Sequence, residues 1–237
     1  MAFEPAYSWI QGRSSWTIRK YSTSAATFVY GQLAYLTQGR LAEATAGASA
    51  KLIGVYAQAS KGGASTAGVM SQVWDDPFII YKAPLDMTYY TDATAAGPGV
   101  FTDTHALDVG CYGVHSGTTT TASKGLVYRV SAISTSATFT LTEPDGAGTA
   151  TIASGDLCYG IPRIGGICGD DATVSLIDSS PANDNGDLLC VNYSDQLRKA
   201  YEGYNTRVDI DVTAPWAYIF ISLAHVHTAI AGGESAA

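Results

Sequence analysis

The stretch Leu126–Thr142, LVYRVSAISTSATFTLT, decides the fold. Val130 and Ala132, then Ala137, Phe139 and Leu141, alternate with mostly polar residues. That period of two belongs to a half-buried antiparallel strand. Thr206–Thr213 (TRVDIDVT) repeats it, with Val208, Ile210 and Val212 on one face and Arg207, Asp209 and Asp211 on the other. Trp216–Leu223 (WAYIFISL) is apolar on both faces and β-rich, which predicts a central strand covered on both sides. It is the longest apolar run and falls far short of the ~20 residues a membrane-spanning helix needs.

Turn signals separate such runs. Pro144-Asp145-Gly146 lies between two Thr-rich segments and predicts a hairpin turn. Asn183-Asp184-Asn185-Gly186, Gly97-Pro98-Gly99 and Gly165-Gly166 are further breakers. Two stretches have helical character: Ser194–Gly203, with a Ser cap and a terminating Gly, and the Ala-rich Leu41–Ala50, broken at Gly47. The expected fold is therefore mainly β, an antiparallel β-barrel or β-sandwich with at most one or two short helices. Residues 1–20 are expected as an N-terminal arm and 21–237 as a β-rich domain, with a division into two subdomains near 143–150 left open.

Three segments resemble one another: YGQLAYLTQGRLAEA (30–44), SGDLCYGIPRIGGIC (154–168) and NGDLLCVNYSDQLRKA (185–200). Each carries Gly-(Gln/Asp)-Leu, then apolar residues, a polar or Gly-containing break and a second Leu or Ile. The predicted form is a hairpin in which Gly opens the strand and Leu points inward. The third copy overlaps the candidate helix at Ser194, and the hairpin is preferred there. Gly54, inside AKLIGVYAQAS (50–60), predicts a bulge or a close backbone approach.

Composition narrows the function. The chain has 237 residues, 14% of them charged, and a net charge of −8; typical soluble domains carry about 25% charged residues. Such acidity, with Lys and Arg scattered almost singly, lacks the basic footprint of a nucleic-acid binder. Hydrophobic residues at 46% exclude compositional disorder. Ala, Ser, Thr and Gly make up roughly 45% of the chain. The four cysteines (Cys111, Cys158, Cys168, Cys190) contain no C-x-x-C pair and read as small buried hydrophobes; a Cys158–Cys168 bridge stays open. The N-terminus MAFEPAYSWI has Glu4 and Pro5 where a secretory signal carries a basic and then an apolar region, so Sec-type export is not expected.

Gly-Gln-Leu-Ala-Tyr-Leu, Gly-Arg-Leu-Ala-Glu-Ala and Leu-Ile-Gly-Val-Tyr-Ala, within Gly31–Ala57, resemble the small decoration (cement) proteins of tailed-phage capsids. There, a strand opening with Gly and an apolar pair leads through a Gly turn to a strand ending in Ala, and a strand with Ile-Gly-Val follows. The resemblance covers little more than a tenth of the chain. It implies a β-rich, often trimeric protein that binds the outside of an assembled shell and has no catalytic site.

Catalytic and metal motifs are sparse. Gly113-Val114-His115-Ser116-Gly117 puts its Ser one place too late for a nucleophile elbow. Lys61-Gly62-Gly63-Ala64-Ser65 lacks the strand–loop–helix setting of a phosphate cradle. His225-Val226-His227 sets two imidazoles on one strand face, with His105 or His115 available to complete a site, but a solvated strand end explains them as well. Asp75-Asp76, Asp170-Asp171, Asp184 and Asp187 are explained by turn chemistry. More informative are Phe3, Tyr7, Trp9 and Trp16, aromatic residues in a polar, irregular segment. They either contact the capsid or another subunit, since aromatics dominate interface energetics, or cover one end of the protein's own barrel.

The expected function is a viral structural protein that decorates and stabilises the outside of a phage capsid. Its expected partner is the major capsid protein, its expected form a homotrimer, and its place the virion surface after assembly in the host cytoplasm. No enzymatic activity, cofactor, metal, nucleic acid or membrane is expected. The alternative is a glycan-binding β-sandwich of a phage fibre or adhesin.

Overall fold

A computed structural model describes residues 3–10, 16–23, 28–37, 39–42, 51–58, 70–85, 89–94, 97–105, 107, 109–115, 124–146, 148–161, 164–165, 167–170, 177–178, 188–194, 197–198, 202 and 216–221. Among the described residues the chain is mainly β, in three antiparallel sheets compatible with a sandwich and without a closed barrel. With strands numbered along the chain, sheet I runs β1 (Glu4–Ser8), β7 (Ile79–Pro84), β17 (Trp216–Ile221), β16 (Leu188–Tyr193), β14 (Ile167–Asp170), β15 (Ile177–Asp178). Sheet II runs β2 (Ile18–Ser22), β6 (Met70–Trp74), β5 (Lys51–Tyr56), β3 (Leu33–Thr37), β4 (Arg40–Ala42). Sheet III runs β8 (Tyr89–Thr91), β13 (Leu157–Ile161), β10 (Tyr112–His115), β11 (Val127–Thr135), β12 (Thr138–Thr142), β9 (Val100–Thr102). Sheet I thus joins the beginning, middle and end of the chain, and sheets II and III are each built from one continuous stretch.

All three sheets meet in one core. Leu33, Tyr35 and Val55 of sheet II, Tyr81, Cys190 and Ile219 of sheet I, and Val114, Tyr159 and Ile161 of sheet III bury their side chains together. Sheet III has a second apolar face, around Phe101, Tyr128, Phe139 and Leu141, and sheet II has its own around Phe28, Ile53 and Tyr56. The edges of sheet III come close without pairing as strands. Ala93 N–H donates to Thr102 C=O (3.0 Å), Thr102 N–H to Asp92 Oδ1 (2.9 Å) and Thr91 N–H to Asp103 Oδ2 (2.6 Å).

β17 is central, between β7 and β16, as its two-faced apolarity predicts. Leu126–Thr142 departs from a simple alternation. It folds into β11 and β12 around a turn at Ser136–Ala137, where Thr135 Oγ1 accepts the Ala137 N–H (3.1 Å). A register shift between Val130 and Ala132 leaves Val130 buried and turns Ala132 outward, because the extra residue exchanges the two faces. Pro144-Asp145-Gly146 is a turn: Gly146 has φ 76° and its N–H reaches Glu143 C=O (2.8 Å). The strands on either side of 143–150 belong to the same sheet, and the chain changes sheets between 84 and 89 and between 161 and 167.

The three similar segments each open one strand in a different sheet: β3, β13 and β16. At Gly31 (φ 75°) and Gly155 (φ 87°) the backbone takes the left-handed conformation that glycine tolerates. Gln32 and Asp156 then close equivalent turns. Each donates its N–H three residues back, to Val29 C=O (3.2 Å) or Ala153 C=O (3.0 Å), and each side chain accepts that same residue's N–H, at 3.2 and 2.9 Å. A further bracket is shared: Gly31 N–H to Tyr56 C=O with Tyr56 N–H to Gln32 C=O, and Gly155 N–H to Asp92 C=O with Asp92 N–H to Asp156 C=O. The leucines pair with the ends of other strands, Leu33 with Val55, Leu157 with Thr91 and Leu188 with Ile221. Two places further on, Tyr35, Tyr159 and Cys190 all enter the shared core.

The hairpin expectation holds for the first copy, where β3 turns through Gly39 into β4. It fails in the second, whose strands β13 and β14 lie in different sheets. In the third, β16 ends at Tyr193 and Ser194 caps a helical turn, accepting Leu197 N–H on Oγ (3.3 Å) and Arg198 N–H on its carbonyl (2.7 Å). The capping reading of Ser194 is therefore the correct one. Gly54 lies opposite Ala34 at a register shift, and a Cβ there would overlap the Trp74 carbonyl oxygen, so bulge and close approach coincide. Thr206–Thr213, residues 43–50, Lys61–Ser65 and Asn183–Gly186 lie outside the described residues.

Candidate functional site

β17 alternates aromatic and aliphatic residues. Ala217, Ile219 and Ile221 face the core, which leaves Trp216, Tyr218 and Phe220 on the outer face of sheet I, all half-buried. Across the ladder, Pro84, Lys82 and Ile80 pair with these three rings. β1 completes the face through a bulge: Pro5 pairs with Tyr81, and Tyr7, not Ala6, pairs with Ile80. The extra residue swings Tyr7 outward. Trp9 N–H donates to Phe78 C=O (2.8 Å), which carries the edge one step beyond the strand.

Tyr7 packs edge-on against Tyr218 (5.1 Å, 66°), Trp9 tilts against Phe220 (5.8 Å, 47°) and Trp216 meets Tyr218 at 88°. Lys82 Nζ lies 4.4 Å from the centre of the Trp216 ring, a cation–π contact. Tyr7, Trp9 and Ile10 remain 41%, 62% and 45% exposed. Burial, helped by Tyr218, raises the Tyr7 phenol above its ordinary pKa, so it stays a neutral hydrogen-bonding tip. Large apolar residues gathered on one exposed face mark binding surfaces.

The four aromatic residues singled out in the sequence divide between two environments. Tyr7 and Trp9 lie on this outer face. Phe3 is fully buried in the shared core, with its N–H bonded to Gly31 C=O (3.0 Å), and Trp16 packs half-buried against the same core. Residues 4–8 and 18–22 contribute an edge strand to each of two sheets. The sequence reading missed Trp216, Tyr218, Phe220 and Lys82. Their signal was present as three aromatics at i, i+2 and i+4 of one strand.

A second cluster brings together a His, an Asp and a Cys. His115 lies opposite Cys158 in the β10–β13 ladder, and its Nε2 is 3.3 Å from Asp156 Oδ2, with both side chains fully buried. Burial pushes the Cys158 thiol up to about 12, far from the thiolate that nucleophilic chemistry uses. The cluster is sealed from solvent and closes the Asp156 turn. Cys111, Cys158 and Cys190 are free and buried, which excludes a Cys158–Cys168 bridge, and burial also pushes Cys190 up to about 12. A thiol reagent is expected to leave Cys158 and Cys190 unmodified in the native protein and to label both in denaturant.

Asp75 accepts bonds from the Tyr21 hydroxyl and Arg19 (3.1 Å), and Asp76 accepts the Phe78 N–H (3.1 Å) and the Thr17 hydroxyl (3.4 Å). These aspartates fasten β2 to the β6–β7 connection. His225 and His227 lie outside the described residues, as do Asp171, Asp184 and Asp187. Among the described residues no group of three or more His, Cys, Asp or Glu is arranged to hold a metal ion. No protein-family model matches the chain, and neither a curated protein nor a solved structure matches it.

Proposed function

We propose that this chain is a non-enzymatic viral structural protein that decorates the outside of a tailed-phage capsid, binding the major capsid protein as a homotrimer. The observation that carries the proposal is the outer face of sheet I, where Tyr7, Trp9 and Ile10 stand exposed beside Trp216, Tyr218 and Phe220. Aromatic residues with one polar tip are the side chains that protein interfaces concentrate. Many copies on one shell would add modest contacts into strong retention. The resemblance of Gly31–Ala57 to decoration proteins supports the same function, as do the low charge and the small-residue surplus.

The glycan-binding alternative draws on the same face, since Trp9, at 62% exposed, is open enough to stack on a sugar ring. The interplanar angles of 47°, 66° and 88° favour the capsid reading, because rings so tilted offer no single stacking plane. One face of Trp216 is already covered by Lys82. The proposal predicts that purified virions carry this chain at high copy number. Virions without it, or saturable binding to a glycan alone, would contradict the proposal.

A further inference from the structure

Four aspartates are buried among the described residues, and they differ in what holds them. Asp75 has Arg19 and the Tyr21 hydroxyl, Asp76 the Thr17 hydroxyl, and Asp156 the His115 ring. Asp92, only 1% exposed, has no side-chain donor. Its Oδ1 accepts the Thr102 N–H (2.9 Å), while its Oδ2 is buried without a hydrogen-bond partner. Thr102, the residue whose N–H Asp92 holds, has a hydroxyl that is likewise buried and unpartnered. Asp103, the next residue, accepts the Thr91 N–H (2.6 Å) from the residue before Asp92.

Consecutive Cα atoms lie about 3.8 Å apart, and Thr91-Asp92 and Thr102-Asp103 are bonded to each other. Two carboxylates and a hydroxyl therefore share one short stretch of the seam between β8 and β9, where the edges of sheet III meet without a strand ladder. Among the described residues neither carboxylate has a Lys, Arg or His partner. A carboxylate buried without a partner is unfavourable, and its bond to Thr102 N–H shows that it points into the seam rather than away from it.

We propose that this seam is a divalent-cation site, with calcium as its ligand. Asp92 Oδ2 and Thr102 Oγ1 are the inner donors, Asp103 supplies the second carboxylate, and water completes the shell. Calcium takes six to eight oxygen donors in flexible geometry, whereas magnesium demands a near-ideal octahedron. A bound ion would fasten the two edges of sheet III, which three backbone N–H groups now hold. The proposal is independent of the capsid reading.

The test is thermal unfolding of chelator-treated full-length protein with and without calcium chloride. At a hundredfold excess over the dissociation constant the melting temperature should rise by about 5–10 °C. Asp92→Asn should abolish the rise and Asp103→Asn should reduce it. Should Asp92→Asn fail to fold, terbium bound to the wild-type protein gives a second readout. Excitation through Tyr90, two residues from Asp92, should give terbium emission that calcium quenches. Unchanged melting together with absent terbium emission would overturn the proposal and assign the orphaned oxygens to water. An equal rise in wild type and Asp92→Asn would overturn it too, by placing any ion elsewhere.

Discussion

At Gly31 the turn into β3 is closed by Gln32, a neutral and half-buried side chain. At Gly155 the same turn into β13 is closed by Asp156, a fully buried carboxylate against His115. Even the bracketing residue differs: Tyr56 occupies in sheet II the place that Asp92 takes in sheet III. The shared sequence, Gly-(Gln/Asp)-Leu, thus specifies a backbone path: a positive-φ Gly, a side-chain acceptor for the turn's first N–H, and a strand directed at the common core. It does not specify the chemistry around that path. In sheet II the closing side chain is a half-buried neutral amide, and in sheet III it is a carboxyl group sealed from solvent against an imidazole.

Substitutions separate the two junctions. The largest effect is expected beside β3, where Gly54→Ala drives a Cβ into the Trp74 carbonyl, a rigid backbone atom. That variant should lose more than about 4 kcal/mol, enough to unfold many domains. Asp156→Ala removes the turn acceptor and leaves the fully buried His115 ring without the oxygen 3.3 Å from its Nε2, and should cost about 2–4 kcal/mol in denaturant unfolding. Beside β13, Gly113→Ala meets the Cys158 sulfur, which rotates more easily than backbone moves, and about 1–3 kcal/mol is expected. Gln32→Ala removes one turn-closing bond at a half-buried site, for about 1 kcal/mol. Equal losses for Asp156→Ala and Gln32→Ala would break the comparison, because they would reduce the buried pair to a turn acceptor.

Much of this architecture is legible in sequence, and the exceptions have a common cause. Period-two alternation, the two-faced Trp216–Ile221 segment, the Pro144 turn and the constraint on Gly54 are local properties of chain and backbone, readable without a partner strand. Bulges are not local. Whether Ala132 or Tyr7 faces out depends on one extra residue inserted against another strand, and the alternation of one strand alone carries no trace of it. The turn at Ser136–Ala137 escaped because it has no Gly, Asn or Pro and relies on the Thr135 hydroxyl instead. In the second copy sequence proximity favours a hairpin, yet β13 and β14 diverge into separate sheets. The candidate site was half legible: Tyr7 and Trp9 were identified from the N-terminal segment, while the rings of β17 were assigned to burial.

The outer face of sheet I is the part of the molecule on which the functional account rests. Trp9 is mostly exposed, so Trp9→Ala should change stability by no more than about 0.5 kcal/mol. The decisive measurement of the proposed decoration role is co-sedimentation of wild-type and Trp9→Ala protein with expanded, empty tailed-phage capsids, the partner that the proposal names. The account predicts saturable binding of the wild type and at least about thirtyfold weaker binding of the variant, the loss typical of an aromatic hot spot. Equal binding of the two proteins, or no binding of the wild type, would contradict it.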